Sequence, residues 1–334
     1  MGKGFWRKLK KPFFALAPML DITDSPFRQI ISEFGKPDVF YTWFISVDGL
    51  CSPGKDNILR QPNLKITRKE RPIVVQLFGK DPKKFYKSAK ILSRMGFDGI
   101  DINMGCSIKD VLKQGAGAEL IKNPKLAREI IKAAKRGAES AGWRIPVSVK
   151  TRIGYYNSGE MKKWISEILK EKPAAICLHG RTAKQKWGGA SDWKKIAEAA
   201  ELAKRDRIII IGNGDIKSRE EGIIKAKETE VDGIMIGRAA LSDPWIFKKS
   251  VLGKPASIGE RIKYLIKHAK LFEKYYKGEK NFGNFRKFIR SYISGFAGSK
   301  ELRIKLMEAK DSKDIKKMCY NYINGRPNNK SRRY

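Results

Sequence analysis

The 334-residue sequence predicts an α/β protein, a (β/α)8 TIM barrel followed by a small all-helical C-terminal domain. Three observations lead to this fold class. Short, nearly continuous apolar segments alternate with amphipathic helical patterns, as expected for a parallel sheet covered by helices. Eight such apolar segments occur, which is the number that closes into a barrel. After the eighth segment only helical patterns remain.

The predicted elements can be placed along the chain. The eight strands lie at residues 13–17, 38–44, 73–78, 99–103, 147–150, 174–179, 208–211 and 233–236. The helices between them lie at residues 26–34, 82–95, 124–141, 160–170, 192–204 and 219–228. The long segment 46–72, between the second and third strands, carries only a weak helix signal.

The first strand follows a basic N-terminal segment that superficially resembles a secretory signal peptide. Five basic residues occur within the first eleven, and the apolar residues 13–17 come next. This apolar run is short and is ended by Pro18 and Asp21, so we interpret it as a strand. Since no stretch approaches the roughly 18 apolar residues of a membrane span, we expect no membrane association.

Charge is the most unusual property of the composition. The chain has 71 Lys and Arg against 35 Asp and Glu, a net charge of +36. Such an excess repels itself unless the protein meets a polyanion. Nucleic acid is a better candidate than an anionic membrane, because no basic amphipathic anchor stands out. The hydrophobic content of 41% is enough for a sizeable core.

The cysteines and histidines argue against a metal site. Cys51, Cys106, Cys177 and Cys319 are widely spaced without a Cys-x-x-Cys pair, and the chain has two histidines. This pattern fits neither a zinc site nor a disulfide framework, and it is typical of a protein in a reducing cytosol. We therefore expect no metal and a cytoplasmic location.

The C-terminal part is predicted to be a strongly basic helical domain. Helical patterns cover residues 258–277, 285–294, 301–308 and 313–323. Residues 251–334 carry 22 basic and 7 acidic side chains. The interleaved aromatic residues fit the core of a small bundle, whereas the charge density favours contacts to a phosphate backbone. The expected domains are residues 1–250 for the barrel, 251–326 for the helical domain and 327–334 for a basic, disordered tail.

The end of the fourth predicted strand carries a candidate for chemistry, Cys106. The strand passes into a loop at Asn103, so Cys106 falls just beyond the strand end. Gly105 allows the backbone to approach a ligand, and the Gly-Ala-Gly-Ala run at residues 115–118 allows tight packing of the loop. Cys106 is either a catalytic thiol or an ordinary buried one, because free cysteine is among the most buried residue types.

The other strand ends favour the catalytic alternative. Active sites of (β/α)8 barrels form at the carboxyl ends of the strands, and nearly every predicted end has polar residues or glycine. The loops after strands seven and eight, Gly212-Asn213-Gly214-Asp215 and Gly237-Arg238, are those that most often bind phosphate in this fold. Their backbone N–H groups and the Arg238 guanidinium predict a phosphorylated cofactor.

Taken together, the strand ends resemble those of the tRNA-dihydrouridine synthase family, and the resemblance covers essentially the whole chain. The motifs that carry it are individually weak, but their order and spacing are specific. They are Ala17-Pro18-Met19, Thr23-Asp24-Ser25-Pro26-Phe27-Arg28, Val75-Gln76-Leu77-Phe78-Gly79, Asp101-Ile102-Asn103-Met104-Gly105-Cys106, Gly115-Ala116-Gly117-Ala118, Val149-Lys150-Thr151-Arg152, Leu178-His179-Gly180-Arg181, Gly212-Asn213-Gly214-Asp215-Ile216 and Ile236-Gly237-Arg238.

The resemblance implies an FMN enzyme that reduces the C5=C6 bond of uridine in tRNA with NADPH or NADH. We expect the protein to be a monomer. The resemblance implies roles for individual residues as well. The backbone of Pro18, Met19 and Leu20 would line the flavin, and Gln76 and Lys150 would contact its ring. The ribityl phosphate would be held by His179, Asn213, Gly214, Asp215, Gly237 and Arg238. Asn103 would orient the uracil, Arg181 would meet the RNA, and Cys106 would be the general acid.

The general-acid role is chemically reasonable. Hydride delivery to C6 of uracil leaves enolate-like charge, and a proton must then reach C5 from the opposite face. A thiol with a pKa near ~8.5 is mostly protonated at neutral pH and can supply that proton. Lys150 would stabilise negative charge on the reduced flavin ring. The uracil must leave its stack in folded tRNA to reach the barrel.

Two positions depart from the family pattern. Ser107 follows Cys106 where proline is usual, and Trp43 stands where a glutamate is common. Trp43 either stacks on a base or fills the core. Two alternative functions remain: an RNA-binding relative with impaired catalysis, and a small-molecule flavin reductase related to the dihydroorotate dehydrogenases. The charge of +36 argues against the second alternative.

Overall fold

The computed structural model of the chain describes residues 4–140, 142, 144–248 and 256–325. Eight parallel strands form one sheet. They are β1 Phe13–Leu16, β2 Phe40–Ser46, β3 Ile73–Phe78, β4 Gly99–Met104, β5 Val147–Arg152, β6 Ala175–His179, β7 Ile209–Asn213 and β8 Gly233–Ile236. A parallel bridge between Ala15 and Val39 joins the two ends of the sheet, so the barrel is closed.

Fourteen α-helices occur in the described residues. They are α1 Ser25–Phe34, α2 Val47–Leu50, α3 Lys55–Leu59, α4 Pro82–Ser93, α5 Lys109–Lys113, α6 Pro124–Ser140, α7 Met161–Leu169, α8 Trp193–Lys204, α9 Arg219–Thr229, α10 Arg238–Ser242, α11 Ile258–Tyr276, α12 Ile289–Tyr292, α13 Ser299–Leu306 and α14 Ser312–Asn324. Short 3₁₀ helices lie at Gly4–Lys8, Pro62–Leu64, Arg68–Glu70, Gly117–Lys122, Ser158–Glu160 and Phe282–Phe288. None of the helices in this described part of the chain is long and apolar enough to cross a membrane.

Polar side chains mark where several helices begin. Asp81 accepts hydrogen bonds from the N–H groups of Lys83 and Lys84 at the start of α4. Ser218 and Ser257 cap α9 and α11 in the same way. Each cap satisfies backbone donors that have no partner inside the helix, which is why these residue types stand at helix starts.

The chain divides into two compact units. One consists of Met1–Asp24 and Pro37–Ala239, and the other of Ser25–Lys36 and Ala240–Tyr334. We call them the barrel unit, which contains all eight strands, and the helical unit, which contains α1 and α11–α14. The predicted limit between residues 250 and 251 and the predicted tail 327–334 lie outside the described residues.

Apolar side chains fill the interior of the barrel unit. The core includes Phe13, Val39, Val74, Ile211 and Met235, contributed by strands around the barrel and by the bridge beside β1. Trp6, in the N-terminal 3₁₀ helix, is 1% exposed and lies 5.8 Å from the Phe13 ring. The basic N-terminal segment therefore leads into the fold, as the interpretation of residues 13–17 as a strand predicted.

An aromatic cluster forms the core of the helical unit. His268 of α11 lies among Phe27, Phe285 and Phe288, with ring centroids 5.8, 5.0 and 4.6 Å away. The Tyr292 hydroxyl makes a 3.0 Å hydrogen bond with His268 Nδ1. The expectation that the aromatic residues of this region form a bundle core is confirmed.

The predicted fold class is confirmed, and the predicted strands agree with the observed ones to within a few residues. The helix predicted at residues 285–294 is different, because a 3₁₀ helix, Phe282–Phe288, precedes the short α12. A 3₁₀ helix aligns side chains three residues apart, and this places Phe282, Phe285 and Phe288 on one side. The predicted helix 124–141 ends at Ser140, and Ala141 lies outside the described residues.

Candidate active site

The loop after β4 holds Cys106 in a fixed position. Asn103 Oδ1 accepts hydrogen bonds from the backbone N–H groups of Gly105 and Cys106, at 3.1 and 2.9 Å. The Cys106 side chain is half-buried at this carboxyl end of the strand. Both bonds are local, so the sequence Asn-Met-Gly-Cys itself encodes the loop.

The Gly-Ala-Gly-Ala run packs against this loop from the other side. Gly117 has φ +62°, and a Cβ atom there would lie 2.6 Å from the carbonyl oxygen of Cys106. The Ala118 N–H donates to that same oxygen at 2.9 Å. The predicted reason for these small residues, tight packing of the loop, is confirmed. Gly105, in contrast, lies against the backbone of Thr151 rather than an open ligand space.

Arg152, at the end of β5, ties the Cys106 loop to its neighbour. Its Nε donates to Gly105 O at 2.7 Å, and its Nη2 donates to Ser107 Oγ at 3.3 Å. Its Nη1 donates to the carbonyl oxygens of Thr182 and Lys186 at 3.0 and 3.1 Å. Arg152 is 3% exposed, and burial lowers its pKa to about 10, so it remains a cation at neutral pH.

The sequence prediction assigned no role to Arg152, although it belongs to one of the strand-end motifs. Its acceptors lie 30 to 47 residues away in the chain, and only the folded barrel brings them together. The same bonds explain how Ser107 is accommodated where the family pattern has proline. The Ser107 hydroxyl is 9% exposed and bonded to Arg152, so the loop is restrained by a hydrogen bond instead of a proline ring.

A buried chain of hydrogen bonds supports Asn103 from within the barrel. Asp101 Oδ2 accepts from Gln76 Nε2 at 2.7 Å, and Gln76 Oε1 accepts from Asn103 Nδ2 at 3.1 Å. The carboxylate thus fixes which way the Gln76 amide points, and Gln76 fixes Asn103. Burial raises the pKa of Asp101 to about 6, against the opposing effects of Ser148, Gln76 and Lys150. Gln76 is fully buried, and its predicted contact with the flavin ring stays a prediction.

Cationic side chains converge on the same end of the barrel. In the register of the strands, Arg152 lies beside His179 and His179 beside Asn213. Burial holds the pKa of His179 well below its ordinary value, and the charges of Lys150, Arg152, Arg181 and Arg238 lower it further. His179 is therefore neutral. Arg181 Nη1 lies 3.4 Å from His179 Nε2, so this nitrogen is the acceptor.

Lys150, Asn213 and Asp215 connect β5, β7 and the loop that follows β7. Lys150 Nζ donates to Asn213 Oδ1 at 3.1 Å, and Asn213 Nδ2 donates to Met235 O at 2.9 Å. Asp215 accepts from Arg238 Nη2 at 3.1 Å. Two of the residues predicted to surround a phosphate, Asp215 and Arg238, thus contact each other, and a third, Asn213, contacts Lys150.

Arg181, which is predicted to meet RNA, is a buried residue with several hydrogen-bond acceptors. It is 3% exposed, and its Nη2 donates to Asp215 Oδ2 at 2.6 Å. Its Nε donates to the carbonyl oxygens of Gly188 and Gly189 at 3.2 and 3.1 Å, and its Nη1 donates to Ser191 Oγ at 2.9 Å. Because the guanidinium is bonded on all sides, it offers little surface to a partner, and the contact with RNA stays a prediction.

The remaining predicted residues lie around the ends of β1 and β8. Met19 O accepts from the N–H groups of Ile22 and Thr23 at 3.0 Å, which folds the chain back after Pro18. A Cβ atom on Gly237 would lie 3.7 Å from Met19 Sδ. Leu20 is 46% exposed. Gly214 packs so closely on Ser191 that a Cβ atom would lie 2.1 Å from the hydroxyl oxygen.

Cys106 and Cys177 have different surroundings. Burial raises the pKa of the Cys106 thiol, while the Ile108 backbone N–H and the charges of Arg152 and Lys150 oppose the shift. Full burial raises the pKa of Cys177, in β6, to about 12. Both thiols are protonated at neutral pH, but of the two only Cys106 is accessible from the strand ends.

Trp43 is 8% exposed, and its backbone is bonded to the Asn63 side chain. Of the two alternatives for Trp43, the structure therefore favours a place in the core. Among the described ranges, no group of three or more His, Cys, Asp and Glu side chains is arranged to hold a metal ion.

A closed (β/α)8 barrel with polar side chains assembled at the carboxyl ends of its strands is the architecture of an enzyme. The model of the dihydrouridine synthase family matches residues 15–324, and the chain belongs to this family. The family and the oxidoreductase class expected from the sequence are confirmed.

Named relatives agree with this assignment, and a solved structure has a similar fold. The chain is 38% identical to "Probable tRNA-dihydrouridine synthase 2" of Bacillus subtilis (strain 168), over 95% of each chain. It is 38% identical to "Probable tRNA-dihydrouridine synthase" of Staphylococcus aureus (strain MRSA252), over 92% of each. Histamine dehydrogenase from Rhizobium sp. 4-9 has a similar fold, with a TM-score of 0.54 and 14% identity over 77% of this chain and 48% of that one.

Proposed function

We propose that the protein reduces the C5=C6 bond of specific uridines in tRNA to 5,6-dihydrouridine, with FMN as cofactor and NADPH or NADH as reductant. Family membership and the names of relatives matched over their full length support the reaction and the tRNA substrate. The observation that carries the proposal is the position of Cys106, a protonated thiol at the strand ends between Asn103 and Arg152.

The charges of the barrel unit fit a phosphorylated flavin. Lys150, Arg152, Arg181 and Arg238 all act on His179, while the carboxylate of Asp215 pairs with two of these cations. Lys150 also acts on the carboxyl group of Asp101. Four cations therefore face two carboxyl groups, and the excess suits a phosphate monoester, which carries about −1.5 to −2 charges at pH 7.

The predicted cofactor residues are assigned roles in this proposal, and Gln76 is expected to contact the flavin ring. Reduced FMN, when bound, supplies the hydride that reaches C6 of the uracil. Lys150 stabilises negative charge near the ring, and the backbone around Pro18, Met19 and Leu20 lines it. The phosphate region is held by residues at the ends of β6, β7 and β8, namely His179, Asn213, Gly214, Gly237 and Arg238. Asp215 and Arg181 act by orienting Arg238 and the loop after β6.

Cys106 is the general acid in this proposal. Its Sγ holds a proton because burial raises the thiol pKa, and the proton passes to C5 of the uracil as charge develops there. Asn103 orients the loop with its Oδ1 and keeps one Nδ2 hydrogen for the uracil edge. Arg152 prevents the loop from moving away, because it bonds to Gly105 and Ser107 on either side of the cysteine.

The helical unit supplies surface charge for the tRNA backbone. Exposed lysines recur along α11 at intervals of three and four residues, which places them on one face of the helix. They are Lys263, Lys267, Lys270 and Lys274, of which Lys267 pairs with Glu33. A row of exposed cations binds a polyanion by releasing its counterions. We also expect the protein to act as a monomer in the cytoplasm.

The test uses purified protein, unmodified tRNA transcript and NADPH or NADH. The protein should show flavin absorption, and the tRNA should gain the mass of two hydrogens at particular uridines. Cys106→Ala should keep the flavin and tRNA binding but lose most turnover, whereas Cys51→Ala, a half-buried cysteine elsewhere, should be unaffected. Near-normal turnover by Cys106→Ala would refute the general-acid role.

Two results would point to the alternative functions. A protein that binds tRNA and flavin but forms no dihydrouridine would be the catalytically impaired relative. Turnover of a small molecule without RNA would indicate the flavin reductase. The bond from Arg152 to Ser107 and the burial of Trp43 weaken the reasons for the first alternative, because both departures from the family pattern have structural explanations.

A further inference from the structure

Two large aromatic side chains are exposed on loops that follow the barrel strands. Trp187, between β6 and α8, is 61% exposed, and Tyr156, between β5 and α7, is 58% exposed. A single exposed aromatic residue is ordinary in a folded protein. These two, however, lie on neighbouring loops at the end of the barrel that carries Cys106. We call them the aromatic rim.

The loop that displays Trp187 is held rigidly by buried groups. Arg152 donates to the carbonyl oxygens of Thr182 and Lys186, so the residue just before the tryptophan is anchored. On the other side of Trp187, Arg181 donates to Gly188 O at 3.2 Å. The indole is therefore exposed on a fixed backbone, and a preorganised side chain costs less entropy when a partner binds.

Backbone hydrogen bonds join the two loops of the rim. The Ala183 N–H donates to Gly154 O at 3.0 Å, and the Lys184 N–H donates to Tyr155 O at 3.0 Å. Tyr156 follows directly. The two exposed rings therefore belong to one connected surface.

Cations accompany both rings. The guanidinium carbons of Arg152 and Arg238 lie 5.9 and 5.4 Å from the Trp187 ring centroid, and Lys184 Nζ lies 5.7 Å from that of Tyr156. A π-face beside a cation is the combination that binds unpaired nucleotides, because the base stacks while the cation attracts the phosphate. Stacking of this kind tolerates any base, since every base has a π-face.

We propose that the aromatic rim is a stacking platform for an unpaired RNA base next to the uridine that is reduced. This inference rests on the proposed function, which makes the RNA a substrate. Arg152 bonds to Gly105 O at 2.7 Å and also anchors the Trp187 loop. The platform and the Cys106 loop thus share one rigid support, so a base stacked on Trp187 sets the position of its neighbour relative to the thiol.

The experiment compares four forms of the flavin-loaded enzyme for affinity to a fluorescent, unmodified tRNA transcript: wild type, Trp187→Ala, Trp187→Leu and Trp187→Phe. Loss of one stacked base should weaken binding about tenfold in the alanine and leucine variants. The phenylalanine variant keeps a π-face and should bind within about threefold of wild type. Leucine separates stacking from simple apolar contact.

Two controls distinguish a loss of base stacking from a general defect in folding or flavin binding. Ile224→Ala removes a 56% exposed apolar side chain from α9, away from the strand ends, and should bind tRNA as wild type does. Flavin absorption and the rate of flavin reduction by NADPH without tRNA should be unchanged in every Trp187 variant, because the bond from Asp215 still holds Arg238 when the indole is removed.

The outcomes separate this proposal from the proposed function. If wild type binds the transcript and forms dihydrouridine but Trp187→Ala binds equally well, the platform is refuted and the function stands. Wild-type affinity in Trp187→Leu would also refute stacking. If wild type neither binds tRNA nor reduces it, both proposals fail.

Discussion

The barrel unit and the helical unit use positive charge in opposite ways. In the barrel unit, Arg152 and Arg181 are buried and donate to fixed acceptors. In the helical unit, the lysines of α11 are exposed along one face. A buried guanidinium group that donates several hydrogen bonds fixes the positions of its acceptors. An ammonium group on a flexible side chain supplies positive charge but does not fix the position of its partner. The positive charges of the two units therefore suit different tasks: the buried arginines shape a site, and the exposed lysines are available to the polyanion proposed above.

The buried side chains of the two units also differ, because those at the strand ends of the barrel unit are polar and those of the helical unit are mainly aromatic. The strand ends of the barrel bury polar groups in mutually bonded chains, such as Asp101, Gln76 and Asn103. The helical unit buries aromatic rings around a single histidine, His268. Polar chains have fixed directions and suit catalysis, whereas the aromatic core contributes mainly stability. Changes in the barrel should therefore affect turnover, and changes in the helical core should affect unfolding.

The largest expected effect is on the stability of the helical unit. Phe285→Ala removes a fully buried ring between His268 and Phe288, which should cost about 3–5 kcal/mol of unfolding free energy. Denaturant unfolding measures it. Tyr320→Ala, at a 51% exposed position, should change stability by less than about 0.5 kcal/mol. Equal effects of the two variants would contradict an aromatic core in this unit.

The second-largest expected effect is on turnover, and it distinguishes the hydrogen-bond geometry of Arg152 from its positive charge. Arg152→Lys keeps the charge but cannot reach the carbonyl oxygens of Gly105, Thr182 and Lys186 together, so the Cys106 loop loses its support. Turnover should fall about a hundredfold, as expected for a small displacement of a catalytic group. Arg128→Lys, at a partly exposed arginine that pairs with the buried Glu171 away from the strand ends, serves as the control. A normal turnover number for Arg152→Lys would show that charge alone suffices.

The smallest effect is a pH dependence of opposite sign in the two units. Burial raises the pKa of Asp101 to about 6, so between about pH 4 and 6 the folded barrel keeps a proton that the unfolded chain releases. The contribution of Asp101 to the free energy of unfolding therefore falls as pH rises through this range. Burial lowers the pKa of His268 to about 3, so its contribution to stability falls as pH decreases from 6.5.

Asp101→Asn should remove the pH-dependent contribution of Asp101 to stability and leave that of His268 unchanged. Between pH 4 and 6, the unfolding free energy of the variant should then rise with pH more steeply than that of wild type, by about 1.4 kcal/mol per pH unit. Urea unfolding at three pH values in this range measures the difference. Parallel curves for the two proteins would show that Asp101 carries no buried proton.

The sequence was sufficient for the fold because a closed parallel barrel requires eight buried apolar strands, and such strands are visible as continuous runs. It was also sufficient to bring Asn103, Lys150, His179 and Asn213 together, since the carboxyl ends of parallel strands meet at one end of a barrel. The roles proposed for these residues remain predictions.

The parts that sequence reasoning missed depend on distant partners. The acceptors of Arg152 are backbone oxygens, which have no side-chain signature in a sequence. The orientation of Arg181 could not be predicted either, because it depends on Asp215 and on the loop at Gly188. The 3₁₀ helix at Phe282–Phe288 is favoured by packing of rings three residues apart, which a helical pattern alone does not distinguish.

The central claim is that the Cys106 thiol donates the proton to the uracil. The pH dependence of a single turnover, with pre-reduced enzyme and excess tRNA transcript, tests it most directly. Because burial raises the thiol pKa above its ordinary value, the wild-type rate should stay constant around neutral pH and fall only at alkaline pH, above the pKa of a free thiol. Cys106→Ala should react slowly and show no such fall. A wild-type rate that increases steadily with pH, or the same alkaline decline in Cys106→Ala, would contradict the account.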